Sequence, residues 1–384
     1  MDAGHAVKPR NTAGIVGAIA CMTIFALTIG LTYPLYAFVL EAQGYDEAAI
    51  GFNAAMTPLG VLASSPFYPR LAQRFGGWQV AAACLAAATV LLLLMGATQD
   101  YGAFLVLRFL LGIVDAGVFI ISESWINQLA AQRSRGRVIG IYAMSLSAGF
   151  AAGPLILSVT GVEGILPFMV AAALSAAAAV AVLAIRAATP AISRGPAASP
   201  LSFVRLAPTL LVAVGVFAFW DAALLSLYPL YGLDYEQSTR LITVALAVSV
   251  LGNTFLQFPI GWIADHTSRR GVMVVCAVLS AAGAAALPAL MPSPAVLLPV
   301  LFFWGAAAGG LYTMAMTELG DRFTGAELVA GNAAFAIVWG LGGLIGAPLT
   351  GAAMDLAGPS GFPATLALIF LATAAFALWR RRGH

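Results

Sequence analysis

Five charged side chains stand inside stretches of chain that are otherwise apolar over about the 20 residues needed to cross a bilayer: Arg108, Asp115, Glu123, Asp221 and Glu318. Each costs about 2.5–3.5 kcal/mol at the membrane centre on insertion scales, so a charge kept there is expected to serve a function. Arg108 and Asp115 are seven residues apart, which at about 100° per residue puts both on nearly the same helix face, about 10 Å apart along the axis. Asp115 falls near mid-membrane, and Asp221 lies at similar depth much further along the chain. A carboxyl withdrawn from water holds a proton more readily, as a proton carrier working near neutral pH requires. Asp115 and Asp221 are therefore expected to line a central hollow from opposite halves, one or both taking up a proton. Arg108 would pair with an anionic group or with Asp115. The competing reading is a static Arg108–Asp115 pair that holds its helix in place.

Glu123 and Glu318 are 195 positions apart, each near the end of its segment and within reach of a basic loop: Arg70 and Arg74 for the first, Arg269 and Arg270 for the second. Salt bridges there would act as latches, costing about 3–5 kcal/mol to break if buried and about 0–1 kcal/mol if wet. A place in a substrate site is the alternative for both glutamates.

Composition dictates the elements that must position these groups. Hydrophobic residues make up 61% of the 384 and charged residues 9%, against about 25% charged in soluble domains. So few charges cannot cover a water-facing surface, and the apolar runs must satisfy their backbone groups internally as helices within lipid. Twelve such segments are expected, at 13–40, 48–68, 78–97, 102–126, 138–160, 164–187, 205–231, 239–262, 272–291, 295–318, 328–354 and 362–380. The first is too long for a secretory signal and lacks a small-residue cleavage site, so it is expected to remain.

The chain also repeats itself. The tetrapeptide YPLY occurs at 33–36 and again at 228–231; PRLAQRFGG at 69–77 aligns with GWIADHTSRRG at 261–271; GFAAGPL at 149–155 aligns with GLIGAPL at 343–349. These offsets, all close to half the chain, predict a duplicated six-helix unit: one bundle over 1–187, a Pro/Ser/Gly-rich cytoplasmic linker over 188–204, and a second bundle over 205–384. The prolines of YPLY are expected to let the outer end of their helix bend, with the tyrosines at the lipid boundary or in an outer gate. Asp115 maps near Ala307 and Asp221 near Ala26 in the repeat. Such departures from two-fold symmetry are where a solute or proton would be read.

Sixteen of the 18 Lys and Arg, from Lys8 and Arg10 through Arg133 and Arg194 to Arg380, fall on one side of this topology. The other side carries Glu41, Asp46, Glu47, Asp100, Glu163, Asp234, Glu236 and Asp355, with only Arg240 against them. Positive loops stay in the cytoplasm, so both termini are expected inside, and the basic face should meet anionic lipid rather than nucleic acid.

Further polar or aromatic candidates for the hollow are Asn253 and Gln257, which share a helix face at four-residue spacing, with Trp220, Tyr142 and Asn332. Each has a structural reading of equal weight, since polar side chains between membrane helices form hydrogen bonds worth about 0.6 kcal/mol. Cys21, Cys84 and Cys276 are dispersed, and the three histidines, His5, His266 and His384, lie in tails or a loop. No metal-ligand spacing or His-based catalytic cluster arises, and no Gly-x-x-x-x-Gly-Lys nucleotide loop is present. An enzyme, a cofactor and a metal are therefore not expected. Any driving force must come from a coupled ion, most economically protons.

Two six-helix halves with a Gly/Asp/Arg-rich loop after the second and eighth segments resemble the major facilitator superfamily of secondary transporters across essentially the whole chain. In GWIADHTSRRG, Gly261, Asp265, Arg269 and Arg270 match the family's loop signature, with His266 in place of the first basic residue. The first copy keeps Arg74 and Gly76 and carries Gln73 where the family has Asp. RFLLGIVDAG, with Arg108 and Gly112, resembles the family's fourth-helix motif. GFAAGPLIL, with Gly149, Gly153 and Pro154, resembles the fifth-helix motif of antiporters but ends Ile156-Leu157 where exporters have two glycines. The stretch 122–154 resembles a little-characterised bacterial branch.

The resemblance implies an all-α integral membrane protein of twelve transmembrane helices in two pseudo-symmetric bundles, a multi-pass protein of the bacterial inner membrane. It implies a secondary transporter moving a small organic solute by alternating access, with Arg70, Arg74, Glu123, Asp265, Arg269, Arg270 and Glu318 in gating. Proton coupling and a monomer are expected, with export by antiport favoured over uptake by symport. A non-transporting sensor of the same fold is the alternative from another class.

Overall fold

The apolar runs fold as helices from end to end. A computed structural model describes residues 9–129, 135–190, 203–323 and 325–381, and no strand occurs among them. In chain order the helices are α1 (Pro9–Ala42), α2 (Glu47–Ser64), α3 (Tyr68–Phe75), α4 (Gly77–Ala97), α5 (Tyr101–Leu129), α6 (Arg135–Thr160) and α7 (Leu166–Ala184). After the linker, of which 191–202 lies outside the described residues, come α8 (Phe203–Leu206), α9 (Pro208–Asp234), α10 (Thr239–Phe255) and α11 (Gln257–His266). The remainder is α12 (Arg269–Leu290), α13 (Pro294–Arg322), α14 (Gly325–Ala357) and α15 (Gly361–Arg381).

Ten stretches are long and apolar enough to cross a membrane. One of them, Ala330–Arg380, contains both α14 and α15, and α6 adds the shorter apolar run Met144–Thr160. The protein is thus an all-α membrane protein with the twelve spans expected.

Two spans expected as single helices are interrupted. Between α2 and α3 the chain tightens into a 3₁₀ turn at Ser65–Phe67, which contains Pro66. Between α10 and α11 the interruption falls at Leu256, three residues before Pro259. Proline has no N–H, so Pro259 leaves the Phe255 carbonyl without its helical donor. With the loop offset of 192, Leu256 corresponds to Ser64, and the repeat has kept the break. The YPLY prolines behave otherwise: Pro34 and Pro229 lie inside unbroken helices. Nor do the YPLY tyrosines mark the lipid boundary, since Tyr33, Tyr36, Tyr228 and Tyr231 are all buried. Tyr231 stacks on Phe362 at 5.1 Å between ring centroids, and Tyr228 lies 6.2 Å from the same ring.

The helices pack into two compact units. The first takes α1 up to Leu31, Gly60–Gly153, and the chain from Glu163 through α7. The second takes Thr32–Leu59, Pro154–Val162 and everything from α8 onward. Helices α1, α2 and α6 therefore each contribute to both. Within the first unit α4 is packed between α5 and α7. Within the second, α9 lies along α14, α10 along α13, and α12 against α13 and α15. Over its apolar window α9 is 78% buried against 39% for α12, so α9 is wrapped by protein while α12 presents an apolar flank outward.

Glycines set the tightest crossings, and they do so in repeat pairs. In the first unit Gly149 and Gly153 of α6 meet the α1 backbone at Thr23 and Gly30; in the second, Gly342 and Gly346 of α14 meet the α9 backbone at Gly215 and Phe219. Gly60 of α2 meets Phe109 of α5 in the first unit, as Gly252 of α10 meets Phe302 of α13 in the second. A Cβ at any of these positions would overlap the facing peptide. Lipid tails are as apolar as leucine, so membrane helices associate through such close van der Waals contact instead of hydrophobic burial. The glycines of GFAAGPL thus have a packing function.

Candidate functional site

Asp221 sits on α9, the most buried of the candidate membrane spans among the described residues. Its neighbours Trp220 and Ala222 are buried, yet its own side chain stays partly accessible. It makes no hydrogen bond or ion pair with any described residue. An acid kept within a membrane helix, partly accessible and without a partner among the described residues, is a candidate for a functional role.

Beside it, α9 and α13 build an aromatic wall. Trp220 meets Trp304 edge-on at 5.5 Å, and Trp304 is oriented by donating its Nε1–H to the Ser280 carbonyl at 2.8 Å. Phe217, one turn before Asp221, lies 5.8 Å from Trp220 and 5.4 Å from Tyr312. Phe217 and Tyr312 are, like Asp221, partly accessible. Next to Tyr312, Thr313 opens a second group: its hydroxyl donates to Gln257 Oε1 at 2.6 Å. Gln257 Nε2 in turn donates to Asn253 Oδ1 at 2.9 Å and to the Ala306 carbonyl at 3.2 Å. This cluster sits at the α10–α11 break, where an interrupted helix needs side chains to satisfy its freed polar groups.

Of the residues proposed from sequence, the second unit thus brings together Trp220 and Asp221, and separately Asn253 and Gln257, with α13 linking the two groups. Asn332 is exposed on α14 and takes no part in either. Phe217, Trp304, Tyr312 and Thr313 were missed. The aromatic residues look like ordinary membrane-helix composition, and only the fold turns them to the same side.

In the first unit Arg108 and Asp115 are 1% and 2% exposed. Asp115 lies near Tyr68 and Cys84, among α3, α4 and α5, and its Oδ2 is buried without a hydrogen-bond partner. Tyr68 itself donates to the Ile113 carbonyl at 2.7 Å. No ion pair joins Asp115 to Arg108 among the described residues. Tyr142 is buried and hydrogen-bonded with Ser122 at 3.2 Å, close to Glu123, which is exposed.

At the basic end the two copies of the expected latch differ. In the second unit Arg270 Nε lies 3.4 Å and Arg322 Nη1 3.0 Å from Glu318 Oε1. Arg269 pairs with Asp265 at 3.3 Å, with Asp321, and with the Thr317 carbonyl at 2.9 Å. The pairing of Glu318 with Arg270 follows the expectation, while Arg322 and Asp321 are additions; Arg322 was legible as the i+4 partner of Glu318. In the first unit Arg70 and Arg74 are exposed, Arg74 lies over the Phe75 ring, and neither pairs with Glu123 among the described residues.

The acidic end carries a contact that sequence gave no sign of. Asp355, at the end of α14, accepts from the first two N–H groups of α2: Glu47 N to Oδ1 at 3.1 Å and Ala48 N to Oδ2 at 3.2 Å. A helix N-terminus has unbonded donors and partial positive charge, and the carboxylate meets both. Just below, Gly51 of α2 meets the backbone at Ala347, and Gly351 of α14 meets Glu47, so the two helices run antiparallel in backbone contact.

Comparison with known proteins agrees with this architecture. The family model described as Major Facilitator Superfamily matches residues 18–250 and 210–384. The chain is 28% identical over 341 residues to the uncharacterized MFS-type transporter YfkF of Bacillus subtilis (strain 168), covering 87% of this chain and 86% of the relative. It is 28% identical over 298 residues to the uncharacterized MFS-type transporter YcaD of Escherichia coli (strain K12 / DH10B), covering 76% and 75%. Among solved structures, a bacterial homologue of the human lysosomal transporter Spinster, inward-facing and occupied, superposes with TM-score 0.76 at 16% identity, covering 98% of each chain. The nucleoside transporter NupG does so with TM-score 0.73 at 12% identity, covering 96% of this chain and 98% of that one. At such identities these structures share the fold and nothing finer. The chain belongs to the Major Facilitator Superfamily and is a membrane transporter, not an enzyme.

Proposed function

We propose that the protein carries a small organic solute across the bacterial inner membrane by alternating access of its two six-helix halves, residues 1–187 and 205–384, driven by protons and directed outward. The observation that carries this reading is Asp221, a partly accessible acid without a partner among the described residues, on the most buried of the described spans. Proton uptake there would change the charge of the hollow by one unit, which is the coupling that transport against a gradient needs. Trp220, Phe217 and Tyr312 supply an apolar face for solute, and Asn253 and Gln257 supply amide groups beside it. Asp115, sealed among helices, has the weaker case as the proton site, and Arg108 is assigned with it to the first half of the hollow. Outward direction is supported by the partial glycine-proline motif at Gly149–Pro154.

Gating in this reading has two ends. Glu318, Arg270 and Arg322, with Asp265 and Arg269, brace the basic end of α11, α12 and α13. Asp355 on the α2 N-terminus favours a state closed at the acidic end, which lies outside in this reading, as the excess of Lys and Arg at the other end supports.

A thermal-shift screen of metabolites and drugs at two pH values finds ligands, because a compound that binds the folded form raises its stability. Flux of a hit into proteoliposomes then gives the direction of coupling. An acidic lumen drives solute in if protons are exchanged for it, whereas an acidic bath does so if they enter together. No gradient-driven flux of any bound solute would contradict the proposal.

A further inference from the structure

At the basic end of the second unit, three arginines from three helices converge on one opening. A small surface depression is lined by Arg270 of α12, Arg322 of α13 and Arg380 of α15, with Leu206, Pro208 and Thr209 where α8 gives way to α9. Glu318 is the carboxylate that offsets this charge, and it is shared by Arg270 and Arg322. Arg380 has no ion pair among the described residues. Three guanidinium groups therefore face one carboxylate, and with the adjoining Asp265, Arg269 and Asp321 counted this end keeps one net positive charge. Arg270 commits Nε to Glu318, and Arg322 one Nη1, out of the five N–H donors that each guanidinium carries. The α9 N-terminus points the same way: Pro208 has no N–H to offer, and the Thr209 N–H belongs to the first turn, which lacks helical acceptors. That helix runs 27 residues, long enough for a full macrodipole.

The rim is apolar. Val204 and Leu206 of α8 are exposed, and Trp379, adjacent to Arg380, is 68% exposed. A polar, cationic floor beside an exposed apolar rim at the end of membrane helices suits a ligand with an anionic head and hydrocarbon attached.

We propose that this depression is a binding site for a phosphate-bearing anion, either the headgroup of an anionic phospholipid or soluble phosphate. Guanidinium groups bind phosphate by paired charge-assisted hydrogen bonds. Such an anion would tie α9, α12, α13 and α15 together at the basic end. The inference does not depend on Asp221 or on the coupling ion.

Unfolding temperature of the purified full chain in detergent is the readout, with dioleoylphosphatidylglycerol, dioleoylphosphatidylcholine or inorganic phosphate added. Phosphatidylglycerol is expected to raise Tm by about 2 °C or more, and phosphatidylcholine to leave it unchanged. Arg380→Gln should remove at least half of the rise, whereas Arg186→Gln, which deletes the same charge elsewhere on the basic side, should keep it. If inorganic phosphate alone produces the rise and Arg380→Gln removes it, the site stands with soluble phosphate as its ligand. Absence of a shift with both phosphatidylglycerol and phosphate overturns the proposal, as does an equal loss in Arg380→Gln and Arg186→Gln.

Discussion

Two acids at similar depth have opposite surroundings. Asp221 is partly accessible and has no partner among the described residues; Asp115 is buried, with a carboxylate oxygen that no described group satisfies. A buried acid of the second kind destabilises the fold unless something offsets it, so Asp115→Asn should leave the melting temperature unchanged or raised. Gradient-driven flux in that variant should stay within about threefold of wild type, since less than about 0.7 kcal/mol would be at stake. A tenfold loss would place Asp115 in the coupling machinery. Glu318 is the opposite case. Its side chain is 10% accessible and holds two arginines, so Glu318→Gln is expected to cost stability, about 3–5 kcal/mol for a buried pair and less for the exposed share of Arg322. Detergent melting measures it. Sequence supplied the identity of these acids, because charge in an apolar segment is conspicuous. Accessibility could not be read, because it depends on which helices surround the carboxylate.

At the scale of the helix, proline alone does not say whether a span breaks. Pro34, Pro154, Pro229 and Pro348 all lie within continuous helices, whereas Pro66 and Pro259 accompany interruptions. The outcome depends on whether neighbouring groups re-satisfy the freed carbonyl, which is tertiary information. The membrane spans, by contrast, were legible, since a run of about 20 apolar residues in lipid has little choice but helix. The break at Leu256 is held by Gln257, and Gln257→Ala would leave Asn253 Oδ1 and the Thr313 hydroxyl without their partner. A loss of about 1–3 kcal/mol is expected, read as a lower melting temperature. An unchanged value would mean that water replaces the amide. The glycine crossings test more severely. Gly346→Val would drive a branched side chain into the α9 backbone at Phe219. Overpacking costs about 1–3 kcal/mol or more, so this variant should melt lower than Gly320→Val, placed on α13 where an added Cβ meets no neighbour.

For the whole molecule, duplication was visible in three short motifs, and the fold bears it out in packing: the α1–α6 and α9–α14 crossings, and the α2–α5 and α10–α13 crossings, use corresponding glycines. What breaks the symmetry could not be seen in advance. The contact of Asp355 with the α2 N-terminus joins residues 308 positions apart, and neither spacing nor charge marked it. Helix caps of this kind contribute about 0.5–2 kcal/mol, enough to shift a two-state balance by roughly twofold to thirtyfold. Asp355→Ala is accordingly expected to increase labelling of an Ala54→Cys variant by a membrane-impermeant thiol reagent, since Ala54 is buried on α2. Equal labelling with and without Asp355 would remove the contact from gating.

Proton-coupled solute movement through Asp221 is tested most directly by reconstituting wild type and Asp221→Asn in proteoliposomes. Solute flux is then measured with an imposed pH gradient and, separately, as solute exchange at equal pH. The proposed mechanism predicts that Asp221→Asn loses at least tenfold of its gradient-driven flux while exchange persists. Gradient-driven flux equal to wild type in Asp221→Asn would contradict it.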